Sequence, residues 1–296
     1  MSSLDSQSEG FQTQTALRDL LDAAGAAPRR RFGQHFLIDR NLMEKLVEAA
    51  DLSADDCALE VGAGTGSLTA LLARSAGRVI AAEVDEKLHA IAAQALARSS
   101  NVTLFRVDAL LNKSTIAPVL EDAMAQARAT PGRRLKLVAN LPYDIATPLV
   151  TNLLLRPTPP VRMCFTVQSE VADRFMAKAK SPAYGAVSIV VQALADVQRI
   201  RKVPPRAFWP PPKVESTMLR LDLLPPDRRV VDDPPAFAAF VRGFFLHRRK
   251  TMSHLAERHE ARARVLAGLD RLDLHSSPRP EELTVADWLG LWQAAR

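Results

Sequence analysis

The stretch LEVGAGTGSLT places Gly62, Gly64 and Gly66 directly after an apolar run and before a helical pattern. Glycine suits such a loop because the chain must turn tightly and bring its backbone up to a ligand with no Cβ in the way. The next apolar run ends in Glu83, about 20 residues on, where an acidic side chain can accept both hydroxyls of a ribose. A third run ends in Asp108, placed to meet an adenine amino group. Either acid alone is as readily a helix cap or a solvated loop residue. Three successive strand ends with ligand chemistry together describe a nucleoside pocket.

The loop also bears on which nucleoside. A dinucleotide fingerprint asks for a third glycine-like residue three positions after the second, and Ser67 stands there instead. G-x-G-x-G followed by an acidic second strand suits S-adenosylmethionine, which has no phosphate to be held at the helix N-terminus. NAD is disfavoured but stays open as the cofactor of an oxidoreductase.

A second constellation lies in LKLVANLPYDIATPLV, residues 135 to 150. The exocyclic nitrogen of adenine is a poor nucleophile because its lone pair is delocalised into the ring, and acceptors placed around its two hydrogens would make it more tetrahedral. Asn140 offers a side-chain carbonyl. The Leu141 carbonyl is a second acceptor, its direction restricted by Pro142. Tyr143 offers a face on which a base can stack. Orientation and electrostatics would then carry the transfer, with late loss of a proton to solvent and no strongly shifted general base.

The elements that must position these groups alternate. Strand-like CALEV, RVIAAEV, NVTLFRV and LKLVAN are separated by helical patterns after Gly66, from Glu86, near 116 to 128 and after Pro148. That alternation predicts an α/β, doubly wound, Rossmann-like parallel sheet. VRMCFTVQ, AVSIVVQAL, DVQRIRKV and TMLRLDLL follow as further strands, and their adjacency predicts an antiparallel far edge. LLPPDRRVVDDPP marks a composition shift. The expected organisation is a loosely held extension over 1–28, a catalytic domain over 29–226 and a small helical RNA-binding domain over 227–296.

The composition, 47% hydrophobic and 24% charged over 296 residues, is that of an ordinary globular protein. No apolar run approaches a membrane span and the polar start MSSLDSQSEG lacks the centre of a secretion signal, so a cytoplasmic protein is expected. Cys57 and Cys164 sit in apolar runs and read as buried thiols, and no Cys/His cluster has metal-ligand spacing, so no metal is expected. A net charge of +6 and a pI of about 9.6 point to a polyanionic partner. Basic residues gather beside aromatics in PRRRFGQHF, with Arg29, Arg30 and Arg31, and in LHRRKTMSH, with Arg248, Arg249 and Lys250. Both suit RNA phosphates and unstacked bases better than they suit the alternative of a merely solvated face.

The ordered set RFGQHFLID, LEVGAGTGSLT, AAEVDEKL, VDAL, NLPYDIATPL, VQSEVADRF, VPPRAFWPPPKVES and HRRKT resembles the ribosomal RNA adenine dimethylases, and most closely their small-subunit branch. The match runs from Arg31 to Leu223 and more loosely to the end. The resemblance implies a class I S-adenosylmethionine-dependent methyltransferase fold. By it, the surroundings of His35 and Leu37 would cover the cofactor, Gly62 with Gly64 and Gly66 would approach it, Glu83 would hold its ribose and Asp108 its adenine. Asn140 would serve cofactor and target amine alike, Tyr143 and Phe208 would flank a flipped adenine, and Arg248, Arg249 and Lys250 would help grip RNA. His35 stands where many relatives have Asn, Ala146 where Ser is frequent, and Trp209 where a smaller residue is common.

The activity so implied is N6-dimethylation of two adjacent adenosines in a loop near the 3′ end of 16S rRNA, by a monomer acting late in small-subunit assembly. The alternatives are a large-subunit RNA methyltransferase of the macrolide-resistance type and a non-catalytic assembly checkpoint factor.

Overall fold

The computed structural model describes residues 12–28, 33–257, 259–274 and 278–296. Arg29, Arg30 and Arg31 lie outside the described residues. In chain order the elements are α1 (Gln14–Ala23), β1 (Phe36–Leu37), α2 (Arg40–Ala50), β2 (Asp56–Val61), α3 (Ser67–Ser75), β3 (Arg78–Glu83), α4 (Glu86–Ala95), β4 (Val102–Arg106), β5 (Leu110–Asn112), β6 (Thr115–Ile116), α5 (Pro118–Arg128) and β7 (Arg134–Asn140). There follow α6 (Ala146–Leu154), β8 (Arg162–Gln168), α7 (Ser169–Met176), α8 (Ala186–Leu194), β9 (Ala195–Val203), β10 (Phe208–Trp209), β11 (Ser216–Leu223), α9 (Pro234–Phe245), α10 (Met252–Ala256), α11 (Arg262–Arg271) and α12 (Val285–Ala295).

Seven strands form one sheet in the order β4-β3-β2-β7-β8-β11-β9. The pairs β2–β3, β2–β7, β3–β4 and β7–β8 are parallel. All six residues of β2 are buried, as expected of a parallel strand covered on both faces. The chain steps outward from β2 to β3 and β4, then returns to place β7 on the other side of β2, so the order reverses between β2 and β7. Ligands bind outside the carboxyl ends of strands at such a switch point. Gly62 follows β2 and Asn140 ends β7, so the two motifs flank that crevice.

The far edge is antiparallel, as the hairpin-like adjacency predicts. The Ser169 amide, just past β8, donates to the Glu215 carbonyl just before β11. The Leu224 amide, just past β11, donates to the Leu194 carbonyl just before β9. AVSIVVQAL is not a strand, however: it is α8. A nine-residue apolar run cannot be assigned by periodicity alone, and here its surroundings decide. The Ser188 hydroxyl accepts from the Gly185 amide at 3.1 Å and donates to the Arg174 carbonyl at 2.6 Å, fixing a helix start among other helices. The β5–β6 hairpin is a further element absent from the strand and helix pattern.

Close packing divides the chain into two units, one of residues up to 152, 160–169 and 199–221, the other of 153–159, 170–198 and 222–296. Most of α7 and all of α8 therefore group with α9 to α12, whereas the composition shift put the helical domain's start at 227. Local composition marks the Pro-rich break but not which helices share a core. In the second unit Phe240 and Phe244 meet Trp288 edge-on at 6.1 and 5.7 Å.

In the first unit α1 is not loosely held. Leu17 and Leu21 are buried and pack with Leu88 and Ile91 of α4. Trp209 joins this cluster, stacking on Phe36 at 6.5 Å with the Arg18 guanidinium 5.2 Å from its ring. A large residue at 209 is accounted for by the helix it supports. At the opposite end of the sheet, Asp56 and Lys136 form a buried ion pair at 3.0 Å, and Arg134 reaches Asp56 at 2.8 Å.

Cys57 and Cys164 are buried thiols outside any disulfide, and burial pushes the Cys57 thiol up to about 11. Among the described residues no helix is long and apolar enough to cross a membrane, and no cluster of His, Cys, Asp and Glu could hold a metal ion.

Candidate active site

One cavity opens at the switch point, and the glycine loop, Glu83, Asp108 and Asn140–Tyr143 all line it, with His35 and Leu37. Gly62 has φ +84, and a Cβ there would lie 3.1 Å from Pro142 Cδ and Cγ. Gly64 has φ +58, and its Cβ would press on the Phe36 ring at 3.2 Å. At both positions the left-handed backbone strains any residue with a Cβ, and the close neighbour adds a tight contact. Gly66 caps α3 in the left-handed region and, unlike the other two, is not among the lining residues.

Glu83 closes β3 and is buried. Its Oε2 accepts from the Gly64 amide at 2.8 Å and its Oε1 from the Asp85 amide at 2.9 Å, so the acid and the glycine loop hold each other in place. Burial raises its pKa and the two amides oppose the rise. Each oxygen keeps a further lone pair for a ligand hydroxyl. Asp108 lies two residues beyond β4. Its Oδ1 accepts from the Leu110 amide at 3.0 Å, which turns the chain toward β5.

Asn140 is the pivot of the opposite wall. Its Nδ2 donates to the His35 carbonyl at 2.9 Å, and its Oδ1 is buried with no hydrogen-bond partner. That bond orients the amide so that an acceptor is left over. His35 is itself held by a 2.7 Å contact from Nδ1 to the Pro210 carbonyl, and its ring lies 5.4 Å from that of Tyr143. The Tyr143 hydroxyl pairs with Ser216 Oγ at 2.7 Å, and burial raises its pKa against that bond. The Asn-Leu-Pro-Tyr segment is thus clamped at both ends.

Phe208 is placed differently from the rest. It is 2% exposed, pairs in register with Leu37 and packs in the core under β2 and α2 without lining the cavity. Ala146 is fully buried at the start of α6. Arg248, Arg249 and Lys250 are exposed on the turn after α9 in the second unit, Arg248 lying 3.9 Å from Glu281.

Glu60, Gln12 and Leu17 line the cavity although the sequence motifs assign none of them a role. Glu60, inside β2, is 1% exposed; burial pushes its carboxyl up to about 8, with Thr69 opposing and Glu83 adding to the rise, and its Oε2 has no partner. An acid inside the otherwise apolar CALEV was the available signal. Gln12 and Leu17 belong to the N-terminal segment, and the Thr65 hydroxyl donates to Gln12 Oε1 at 2.6 Å.

The residues fit an adenosyl cofactor with an amino-acid tail. Two buried carboxyls and one unpartnered amide oxygen await donors or a cation, and the glycine loop leaves no Cβ in the way.

The chain matches the family model described as ribosomal RNA adenine dimethylase over residues 25–294. It is 33% identical over 287 residues to ribosomal RNA small subunit methyltransferase A of Leuconostoc citreum, covering 95% of each chain. It is 39% identical over 223 residues to the protein of that name from Alkaliphilus oremlandii, covering 75% of each. Among solved structures a dimethyladenosine transferase from Plasmodium falciparum superposes with a TM-score of 0.71 at 23% identity, covering 87% of this chain and 96% of that one. The 23S rRNA methyltransferase ErmE superposes with a TM-score of 0.62 at 24% identity, covering 88% and 98%. The structural likenesses establish the fold; the near-complete family match, over a cavity built from its motifs, establishes that the chain belongs to the ribosomal RNA adenine dimethylase family.

Proposed function

We propose that this enzyme uses S-adenosylmethionine to dimethylate N6 of two adjacent adenosines in a loop near the 3′ end of 16S rRNA, acting as a monomer on an immature small subunit. The relatives at 33 to 39% identity named for the small subunit favour this target over the large subunit. The observation that carries the chemistry is the unpartnered Asn140 Oδ1, buried at the end of β7 in the same cavity as Glu83 and Tyr143.

When bound, the cofactor supplies an electrophilic methyl on a sulfonium. The protein's part is orientation and polarisation. Glu83 accepts from the ribose hydroxyls and Asp108 from the adenine amino group. The backbone at Gly62 lets the ligand approach, and the segment from His35 to Leu37 covers it. Asn140 Oδ1 and the Leu141 carbonyl accept the two amino hydrogens of the target base, localising the nitrogen lone pair. The Tyr143 ring gives the base a stacking face. A double-helical target hides its edges, so the base must be turned out of its loop. The methylated nitrogen is cationic and loses its proton to solvent, so no residue need act as a strong base. Arg248, Arg249 and Lys250, with Arg29, Arg30 and Arg31, hold RNA phosphates. The role of Phe208 beside the base requires it to leave the core.

Changing Asn140 to Ala tests this directly: methyl transfer to small subunits falls by about 10²- to 10³-fold, the range for losing one oriented donor or acceptor at the reacting group. Unchanged transfer would remove Asn140 from the mechanism.

A further inference from the structure

A second concavity, of about 660 Å³, lies on the first unit, and its charged lining is Asp39, Arg40, Arg201, Lys202 and Arg206. Four cations face one carboxylate, and that carboxylate is engaged: Asp39 Oδ1 accepts from the Leu42 amide at 3.1 Å as the N-cap of α2. Arg40 pairs with Glu44 at 2.7 Å, and Lys202 lies 3.8 Å from Glu215. Arg201 and Arg206 are exposed and have no ion-pair partner among the described residues. They lie five residues apart in the basic run RIRKVPPR, at the end of β9 and on the turn at 205–207, and the fold brings that run beside Arg40 at the start of α2.

Ile38 lines both this groove and the active-site cavity. Its amide donates to the Ala207 carbonyl at 2.9 Å, continuing the β1–β10 pairing. A strand delivering a base to the cavity carries its flanking phosphates on either side of that base, and the shared Ile38 puts this groove beside the cavity.

We infer that this groove is an RNA phosphate-binding site that holds the backbone flanking the target adenosine, with Arg201 and Arg206 as its principal contacts. This rests on the proposed function for the identity of the strand. The competing structural reading is that these cations blunt β9, the last strand in the sheet order, against edge-to-edge pairing.

The test compares the full-length protein with R201E/R206E and with the charge-keeping R201K/R206K, titrating single-stranded RNA and unmethylated small subunits across salt. The inference expects R201E/R206E to bind both at least about tenfold more weakly near 0.1 M salt, with the slope of log affinity against log salt reduced by about 1.4, two contacts' worth for single strands. KM for small subunits rises, kcat and cofactor affinity stay as in the wild type, and R201K/R206K retains most of the binding. Unchanged RNA affinity and slope in a folded R201E/R206E protein would overturn it, and new self-association would then identify edge protection as the role. If the wild-type protein transferred no methyl to ribosomal RNA, the proposed function would fail, while the salt titration would still decide the groove.

Discussion

Gly62 and Pro142 face each other across the switch point of the sheet, and a Cβ on Gly62 would lie only 3.1 Å from the proline Cδ and Cγ, tighter than ordinary contact. The contact joins the loop after β2 to the segment after β7, so the cofactor wall and the base wall share one boundary. Changing Gly62 to Ala forces a left-handed φ on a residue with a Cβ and pushes that atom into the proline ring. Calorimetric titration with S-adenosylmethionine should show at least tenfold weaker binding, and the melting temperature should fall by an amount corresponding to about 1–3 kcal/mol.

Much of this wall is legible in the sequence because backbone needs are written locally. Gly62, Glu83 and Asn140 occupy strand ends that the alternation of apolar runs already marks. The rest depends on pairing between distant segments. Phe208 reads as a base-stacking aromatic, yet the register Leu37↔Phe208 buries it. Gln12 and Leu17 read as an appendage, yet α1 packs on α4 and brings them to the cavity. AVSIVVQAL has strand composition, and only its packing among α9 and α12 makes it α8.

Tyr143 separates ring from hydroxyl. Removing the hydroxyl in Tyr143→Phe loses the bond to Ser216, about 0.5–1.5 kcal/mol of stability, and leaves transfer within a few-fold. Removing the ring in Tyr143→Ala costs about 1–3 kcal/mol of base stacking, so kcat/KM falls by roughly 5- to 150-fold. Steady-state assays on small subunits, paired with urea melts, distinguish the two.

The raised pKa of Glu60 predicts that S-adenosylmethionine binding depends on pH. Its pKa in the folded protein, about 8, is raised from an ordinary 4.5, so the folded state binds the proton more tightly than the unfolded state. That contribution is fully present below pH 4.5 and is lost as pH rises through about 8. A cationic ligand in the cavity favours the carboxylate, so binding near pH 7 should release up to one proton. Titrations in buffers of different ionisation enthalpy measure it, and Glu60→Gln should abolish most of the release.

Asp56 and Lys136 lie far from the chemistry and should matter only for stability. Burial alone would raise the Asp56 pKa, but Lys136, the Ser53 amide and Arg134 outweigh it and hold the carboxyl below its ordinary 3.8. Its stabilisation is present above that ordinary value and is lost as pH falls through the depressed one. Asp56→Ala strands the Lys136 ammonium in the core and should cost about 3–5 kcal/mol in urea unfolding, with little change in transfer by the folded fraction.

The central claim is the identity of the acceptor. Labelled methyl from S-adenosylmethionine should be offered to small and large ribosomal subunits lacking their native methylations, and the RNA digested to nucleosides. Label should be confined to the small subunit and recovered as N6,N6-dimethyladenosine from two adjacent positions near the 3′ end of its RNA. Label on the large subunit, or on neither, would contradict that claim.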